Sequence, residues 1–105
     1  SQKQKIITAF AALVTIFEEI CMKQANEIMR KFLRQQRIRA GVSLNAVAKG
    51  IKQPLKNVQA WEDQPVNAPL NRIAKMVEFY QTNSLEFLEC LFEVRQAQRQ
   101  ASLII

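Results

Sequence analysis

Residues 55–60, with the sequence LKNVQA, carry side chains that can hydrogen-bond to the bases of double-stranded DNA. In the major groove, Asn and Gln can pair with adenine through two hydrogen bonds, and Lys can donate to guanine. If the segment is helical, its outer faces consist of Leu55, Lys56, Asn57, Gln59 and Ala60, which are our candidates for base contact. The same polar side chains are also common on helices that face only water, so the interpretation depends on the surrounding elements.

The sequence offers little support for catalysis or metal binding. Its 105 residues include no histidine, the commonest general base and metal ligand. Cys21 and Cys90 are far apart and lie among apolar neighbours, which is typical of neither a disulfide framework nor a zinc site. We therefore expect reduced, buried thiols in a cytoplasmic protein that is not an enzyme and that has no metal and no cofactor.

Positive charge is concentrated in the middle of the chain. Residues 30–75 contain ten basic and two acidic residues, whereas residues 1–29 contain three of each and residues 76–105 contain two basic and four acidic ones. The central charge of +8 favours a polyanion such as DNA as the partner. A set of solvated helix faces would give the same composition and remains the alternative.

The composition predicts an all-α protein. Only 2 Gly and 3 Pro interrupt long runs of helix-favouring residues. Apolar residues at 6, 7, 10, 13, 14, 17, 20 and 21 have the three-four spacing of an amphipathic helix. A second helix follows over 26–40 with Asn26 available as its cap, and no Gly or Pro separates the two. Whether they are continuous stays open at this stage.

The first helix begins with basic residues and an apolar run, a pattern that also occurs in signal peptides. The run continues into Glu18 and Glu19 without a small-residue cleavage site, and it is too short to span a bilayer. We therefore expect no membrane association.

Helix-boundary residues divide the rest of the chain into four shorter helices. Gly41 is suited to end the preceding helix and Ser43 to cap the next. Pro54 fits the first turn of a further helix, and Asn67 and Ser84 can cap the last two. The predicted helices are 44–51, 54–63, 69–81 and 84–97. The first two are too short to persist alone, and the tight turn between them is typical of a helix-turn-helix motif.

Residues 33–63, LRQQRIRAGVSLNAVAKGIKQPLKNVQAWED, with PLNRIAKMV at 69–77, resemble the XRE family of helix-turn-helix DNA-binding domains, the Cro and phage-repressor type. The resemblance covers roughly residues 30 to 80, and its combined spacing is fairly specific. The positions of the family pattern are occupied by Arg37, Gly41, Val42, Ser43, Val47, Ala48, Ile51, Val58 and Glu62, and those of its fourth helix by Leu70, Ile73, Ala74 and Val77.

The resemblance implies a five-helix repressor-like domain that binds double-stranded DNA in a sequence-specific way and regulates transcription, in a bacterial or phage context. It also implies a buried ion pair between Arg37 and Glu62, which joins the first helix of the domain to the end of the recognition helix. The candidates for contact with DNA phosphates are Arg39, Asn45, Lys52, Gln53 and Arg72.

Three departures from the family pattern support an alternative function. Leu44 stands where the family usually has a phosphate-binding Gln, and Gln64 occupies the position of the glycine after the recognition helix. Lys52 replaces the turn glycine, so it must accept an unfavourable backbone conformation or form a different turn. The alternative is a helix-turn-helix scaffold that mainly binds a protein partner, as an antitoxin or a coactivator-like adaptor would.

The chain is longer than such a domain requires. We expect an extra long N-terminal amphipathic helix at 1–25, the helix-turn-helix domain at 26–83, and an extended C-terminal helix and tail at 84–105. The added helices carry the dimer-interface candidates Phe10, Leu13, Phe17, Leu88, Leu91 and Phe92. A homodimer would place two recognition helices about one turn of DNA apart, whereas pairing of the added helices within one chain is the alternative.

Overall fold

The computed structural model describes residues 2–102, which are all-helical as the composition predicts. The elements are α1 (Gln2–Ala40), α2 (Leu44–Gly50), α3 (Leu55–Asp63), a 3₁₀ helix (Pro65–Asn67), α4 (Leu70–Phe79) and α5 (Ser84–Ser102). Within this range there is no β-strand, and no helix has an apolar stretch long enough to cross a membrane.

α1 is one continuous helix of 39 residues, which answers the question that the sequence left open. The expected boundary between residues 25 and 26 falls inside it, because neither Gly nor Pro interrupts this stretch. Asn26 is therefore not a cap. Its side-chain nitrogen donates to the carbonyl of Asp63 at 3.2 Å, and its side-chain oxygen accepts from the backbone N–H of Val66 at 3.3 Å. These bonds tie α1 to the segment that follows α3.

The core lies between the C-terminal half of α1 and the shorter helices. Leu33, Val47, Val58, Ile73 and Met76 come from four different helices and are almost completely buried. Because α2 and α3 are too short to be stable alone, the burial of these apolar side chains is what holds them in place.

α5 packs along α1 in the opposite direction. It begins beside the C-terminal end of α1, where Arg39 Nη1 lies 3.4 Å from Glu86 Oε2. The rings of Phe32 and Phe87 then stack with their centroids 6.3 Å apart. α5 thus covers the C-terminal half of α1, and the two added helices pair only in part within the chain.

The N-terminal half of α1 extends beyond the packed body, which consists of the C-terminal half of α1 and the helices that follow it. The described residues span 59 Å in their longest dimension. No side chain of residues 2–20 is buried, and Cys21 is the first buried residue along the helix. The dimer-interface candidates Phe10, Leu13, Phe17, Leu88 and Phe92 are exposed, whereas Leu91 is half-buried against the core. The projecting half of α1 therefore presents an apolar surface to solvent.

The predicted ends of the helices around α2 are confirmed. Gly41 follows α1 in the left-handed conformation, with φ = 69°, which only glycine adopts without strain. Ser43 Oγ accepts a hydrogen bond from the backbone N–H of Ala46 at 3.1 Å and caps α2.

Two other predicted caps are wrong. Asn67 lies inside the 3₁₀ helix, and α4 begins after Pro69 without a side-chain cap. α5 is capped by Asn83, whose Oδ1 accepts from the backbone N–H of Leu85 at 2.8 Å, and not by Ser84. Asn and Ser are equally good capping residues, so the sequence did not distinguish these neighbours.

Candidate nucleic-acid interface

α2 and α3 are joined by a short turn, residues 51–54, and are held by the core on their inner faces. Lys52 in this turn has φ = 58°, so it does adopt the left-handed conformation in which the family has glycine. Val47 on α2 and Val58 on α3 are fully buried. The turn and these two buried residues fix the orientation of α3 and leave its opposite face outward.

The outer face of α3 is open to solvent. Lys56, Asn57, Gln59 and Ala60 are exposed, whereas Leu55 is half-buried and packs against the core. Within residues 2–102, no hydrogen bond or ion pair engages the side chains of Lys56, Asn57 or Gln59. Four of the five base-contact candidates are therefore accessible to a partner, and Leu55 is only partly so.

The ion pair that the resemblance implies is present. Arg37 Nε donates to Glu62 Oε1 at 2.7 Å, and the two side chains are 18% and 12% exposed. Arg37 Nη1 also donates to the carbonyl of Val42 at 3.2 Å. One guanidinium thus joins the end of α1, the end of α3 and the loop before α2.

The phosphate-contact candidates have different surroundings. Arg39, Asn45 and Lys52 are exposed, and Gln53 and Arg72 are half-buried. The guanidinium of Arg72 lies over the ring of Trp61, 6.0 Å from its centroid, which restricts its movement. Arg39 is paired with Glu86 of α5 and is therefore less available to a phosphate than Lys52.

Two basic residues that the sequence analysis did not single out lie beside α3. Arg30 and Arg34 line a groove between α1 and α3 together with Gln59. Hydrogen bonds from Arg30 lower the pKa of Glu27, with Nε–Oε2 and Nη2–Oε1 distances of 3.0 Å each. Arg34 is exposed. Residues 30, 34 and 37 are spaced so that their side chains lie on one side of a helix, and this spacing could have predicted the basic groove from the sequence.

Burial raises the pKa of two side chains in the core. Burial, with a smaller effect from Glu62, raises the pKa of Tyr80, whose hydroxyl has no hydrogen-bond partner within residues 2–102. Burial, with a smaller effect from Glu93, raises the pKa of the Cys90 thiol to about 11. Cys90 and Cys21 are both free and buried, as expected. The described residues form no group of three His, Cys, Asp or Glu that could hold a metal ion.

Comparison with models of known protein families, with curated proteins and with solved structures gives no match to this chain. An assignment of function therefore rests on the residues and their geometry.

Proposed function

We propose that this chain is a sequence-specific DNA-binding transcriptional regulator without catalytic activity, in which α2 and α3 serve as a helix-turn-helix motif of the XRE type. α3 would enter the major groove, where Lys56, Asn57 and Gln59 would contact base edges. The observation that carries this proposal is the open outer face of α3, whose polar side chains have no partner within the described part of the chain. Such a regulator would act in the cytoplasm, in a bacterial or phage context.

The charge around α3 supports an anionic partner. Arg37 is neutralised by Glu62, one of the only two acidic residues between positions 30 and 75. Arg34, Lys52 and Lys56 are exposed, and within residues 2–102 none of them forms an ion pair. Lysine and arginine side chains of this kind bind phosphates and release counterions, which makes affinity fall as salt rises.

The inner side of α3 is held firmly enough to present its outer side in one orientation. Arg37 and Asn26 of α1 both bind the C-terminal end of α3, and Val58 anchors its middle in the core. A helix that is already ordered loses little conformational freedom when it binds, so more of its contact energy appears as affinity.

Selection of bound duplexes from a random DNA pool tests the proposal. We expect the native chain to enrich a defined motif and the variant K56A/N57A/Q59A to enrich none. The matched control R95A/Q96A/Q100A also removes one basic and two amide side chains, but from exposed positions of α5, and should enrich the native motif. Recovery of unrelated duplexes by the native chain would contradict sequence-specific binding.

Exposed apolar residues on α5 favour a second candidate function, a helix-turn-helix scaffold that binds another protein. Leu85, Leu88 and Phe92 are each at least 60% exposed, and Leu44 replaces the phosphate-binding Gln of the family. On this alternative, no DNA motif would be selected, and L88E/F92E would abolish binding to a protein recovered with the native chain.

A further inference from the structure

We propose that residues 3–20 of α1 bind the same segment of a second copy of this chain, with the two helices antiparallel. The surface is distinct from the outer face of α3, so this proposal and the DNA-binding proposal can fail independently. Its support comes from the exposure, the spacing and the charge of the segment.

Five apolar side chains form one stripe along the projecting half of α1, at alternating spacings of four and three residues. This α1 stripe consists of Ile6, Phe10, Leu13, Phe17 and Ile20, which are 38–67% exposed. The spacing is that of the buried seam in a two-helix coiled coil. A continuous apolar stripe of large side chains on a projecting helix is typical of an interface.

Antiparallel pairing places the α1 stripe of one copy directly on that of the other. When Phe10 lies opposite the partner's Leu13, Ile6 lies opposite the partner's Phe17 at the same register. The two-fold axis then passes between residues 11 and 12. Both copies use the same surface, so the contact closes as a dimer and does not propagate into a filament.

Charges at the two ends of the segment favour this orientation. Lys3 and Lys5 lie at its N-terminal end, and Glu18 and Glu19 lie near its C-terminal end. Antiparallel pairing brings the basic end of each copy beside the acidic end of the other. Parallel pairing would instead set Lys against Lys and Glu against Glu, which is unfavourable.

The packed body of the molecule fits the same register. Cys21 is the first buried residue of α1 and marks the point where the helix enters that body. In the antiparallel register, the stripe residues from Ile6 to Phe17 lie opposite stripe residues of the partner, and all of them precede Cys21. These stripe contacts therefore form outside both packed bodies.

Sedimentation velocity of the full chain over a range of concentrations tests the proposal. The native chain should be a dimer at micromolar concentration, and F10E/F17E should be a monomer with the same helical content by circular dichroism. The matched control T8E/T15E adds the same two charges on the opposite side of α1, where both residues are exposed, and should remain a dimer. A monomeric native chain, a larger native oligomer, or equal dissociation by both variants would overturn the proposal.

Charge reversal tests the orientation of the two helices. K3E/K5E should raise the dimer Kd by about tenfold, because attraction between the ends becomes repulsion. K3E/K5E/E18K/E19K restores opposite charges at the antiparallel ends and should return the Kd to within about threefold of the native value. In a parallel dimer, like charges face each other in all three proteins, so equal Kd values for the three would overturn the antiparallel assignment.

Discussion

The ion pair between Arg37 and Glu62 is the residue-scale contact that most directly fixes α3. Replacing Arg37 with Ala should lower the free energy of unfolding by about 3 kcal/mol, because Glu62 would remain unpaired at 12% exposure. Urea denaturation followed by circular dichroism measures this change. In the control Arg30→Ala, the partner Glu27 is 42% exposed and screened by water, so we expect a clearly smaller loss than in Arg37→Ala. Equal losses in the two variants would contradict a structural role for Arg37.

Burial of Cys90 predicts a loss of stability at high pH. Its pKa is raised from 9.0 to about 11 in the folded chain, so the unfolded chain loses the thiol proton first as the pH rises. The free energy of unfolding should therefore be unaffected by this group below pH 9 and should fall by about 2 kcal/mol between pH 9 and 11. Urea denaturation under reducing conditions at several pH values measures the fall. Cys90→Ala should make it shallower, and an unchanged slope would contradict this assignment.

At the residue scale, the sequence predicted contacts that depend on local spacing and missed those that depend on how helices pack. Arg37 and Glu62 could be paired in advance because their positions follow a family pattern. Arg30 and Arg34 were not recognised as neighbours of Gln59, because their proximity requires α1 to lie alongside α3. Neither propensity nor hydrophobic periodicity defines that arrangement.

At the scale of the elements, the turn between α2 and α3 contains a strained backbone conformation at Lys52. Lys52 has φ = 58°, a conformation that costs about 1 kcal/mol for a residue with a Cβ. Lys52→Gly should therefore raise the free energy of unfolding by about 0.5–1 kcal/mol in urea denaturation. Lys52→Ala removes the same charge but keeps the Cβ, so it should give no gain. If both variants were equally stabilised, the effect would come from the charge and not from the backbone.

Most elements could be predicted from the sequence, whereas several of their ends and faces could not. The sequence predicted every helical segment, with 1–25 and 26–40 left open as one helix or two, and Gly41 and Ser43 marked the boundary between α1 and α2. The continuity of α1 was left open because Asn26 could cap a second helix although no Gly or Pro separates it from the first; in the structure, Asn26 binds the segment that follows α3. Leu70 occupies a position of the family's fourth helix together with the buried Ile73 and Val77, yet it is 58% exposed because it begins α4.

At the scale of the whole molecule, the two proposals together predict the spacing of DNA half-sites. The C-terminal end of α3 binds Asn26 and Arg37 of α1, and the proposed two-fold axis passes between residues 11 and 12. At 1.5 Å per residue of α1, the C-terminal ends of the two recognition helices would be about 60 Å apart. That separation is closer to two turns of DNA, about 68 Å, than to the single turn suggested by the sequence alone.

Duplexes selected by the native chain should therefore contain two inverted half-sites whose centres are about 18–21 base pairs apart. Insertion of five base pairs between them should weaken binding, because it rotates one half-site to the opposite side of the DNA. Insertion of a full turn of DNA lengthens the distance between the half-sites but keeps both on the same side of the duplex. Half-sites ten base pairs apart would contradict the antiparallel dimer while leaving DNA binding by α3 intact.

Fluorescence anisotropy titration tests most directly whether the outer face of α3 reads DNA sequence. The native chain and K56A/N57A/Q59A would each be titrated with the selected duplex and with a scrambled duplex at several salt concentrations. If the face pairs with base edges, each lost contact costs about 1–3 kcal/mol, so the variant should bind both duplexes with the same weak, salt-dependent affinity. Lys52→Ala should instead weaken binding to both duplexes equally and lower the salt slope by about one. A triple variant that still prefers the selected duplex as strongly as the native chain would contradict the central claim.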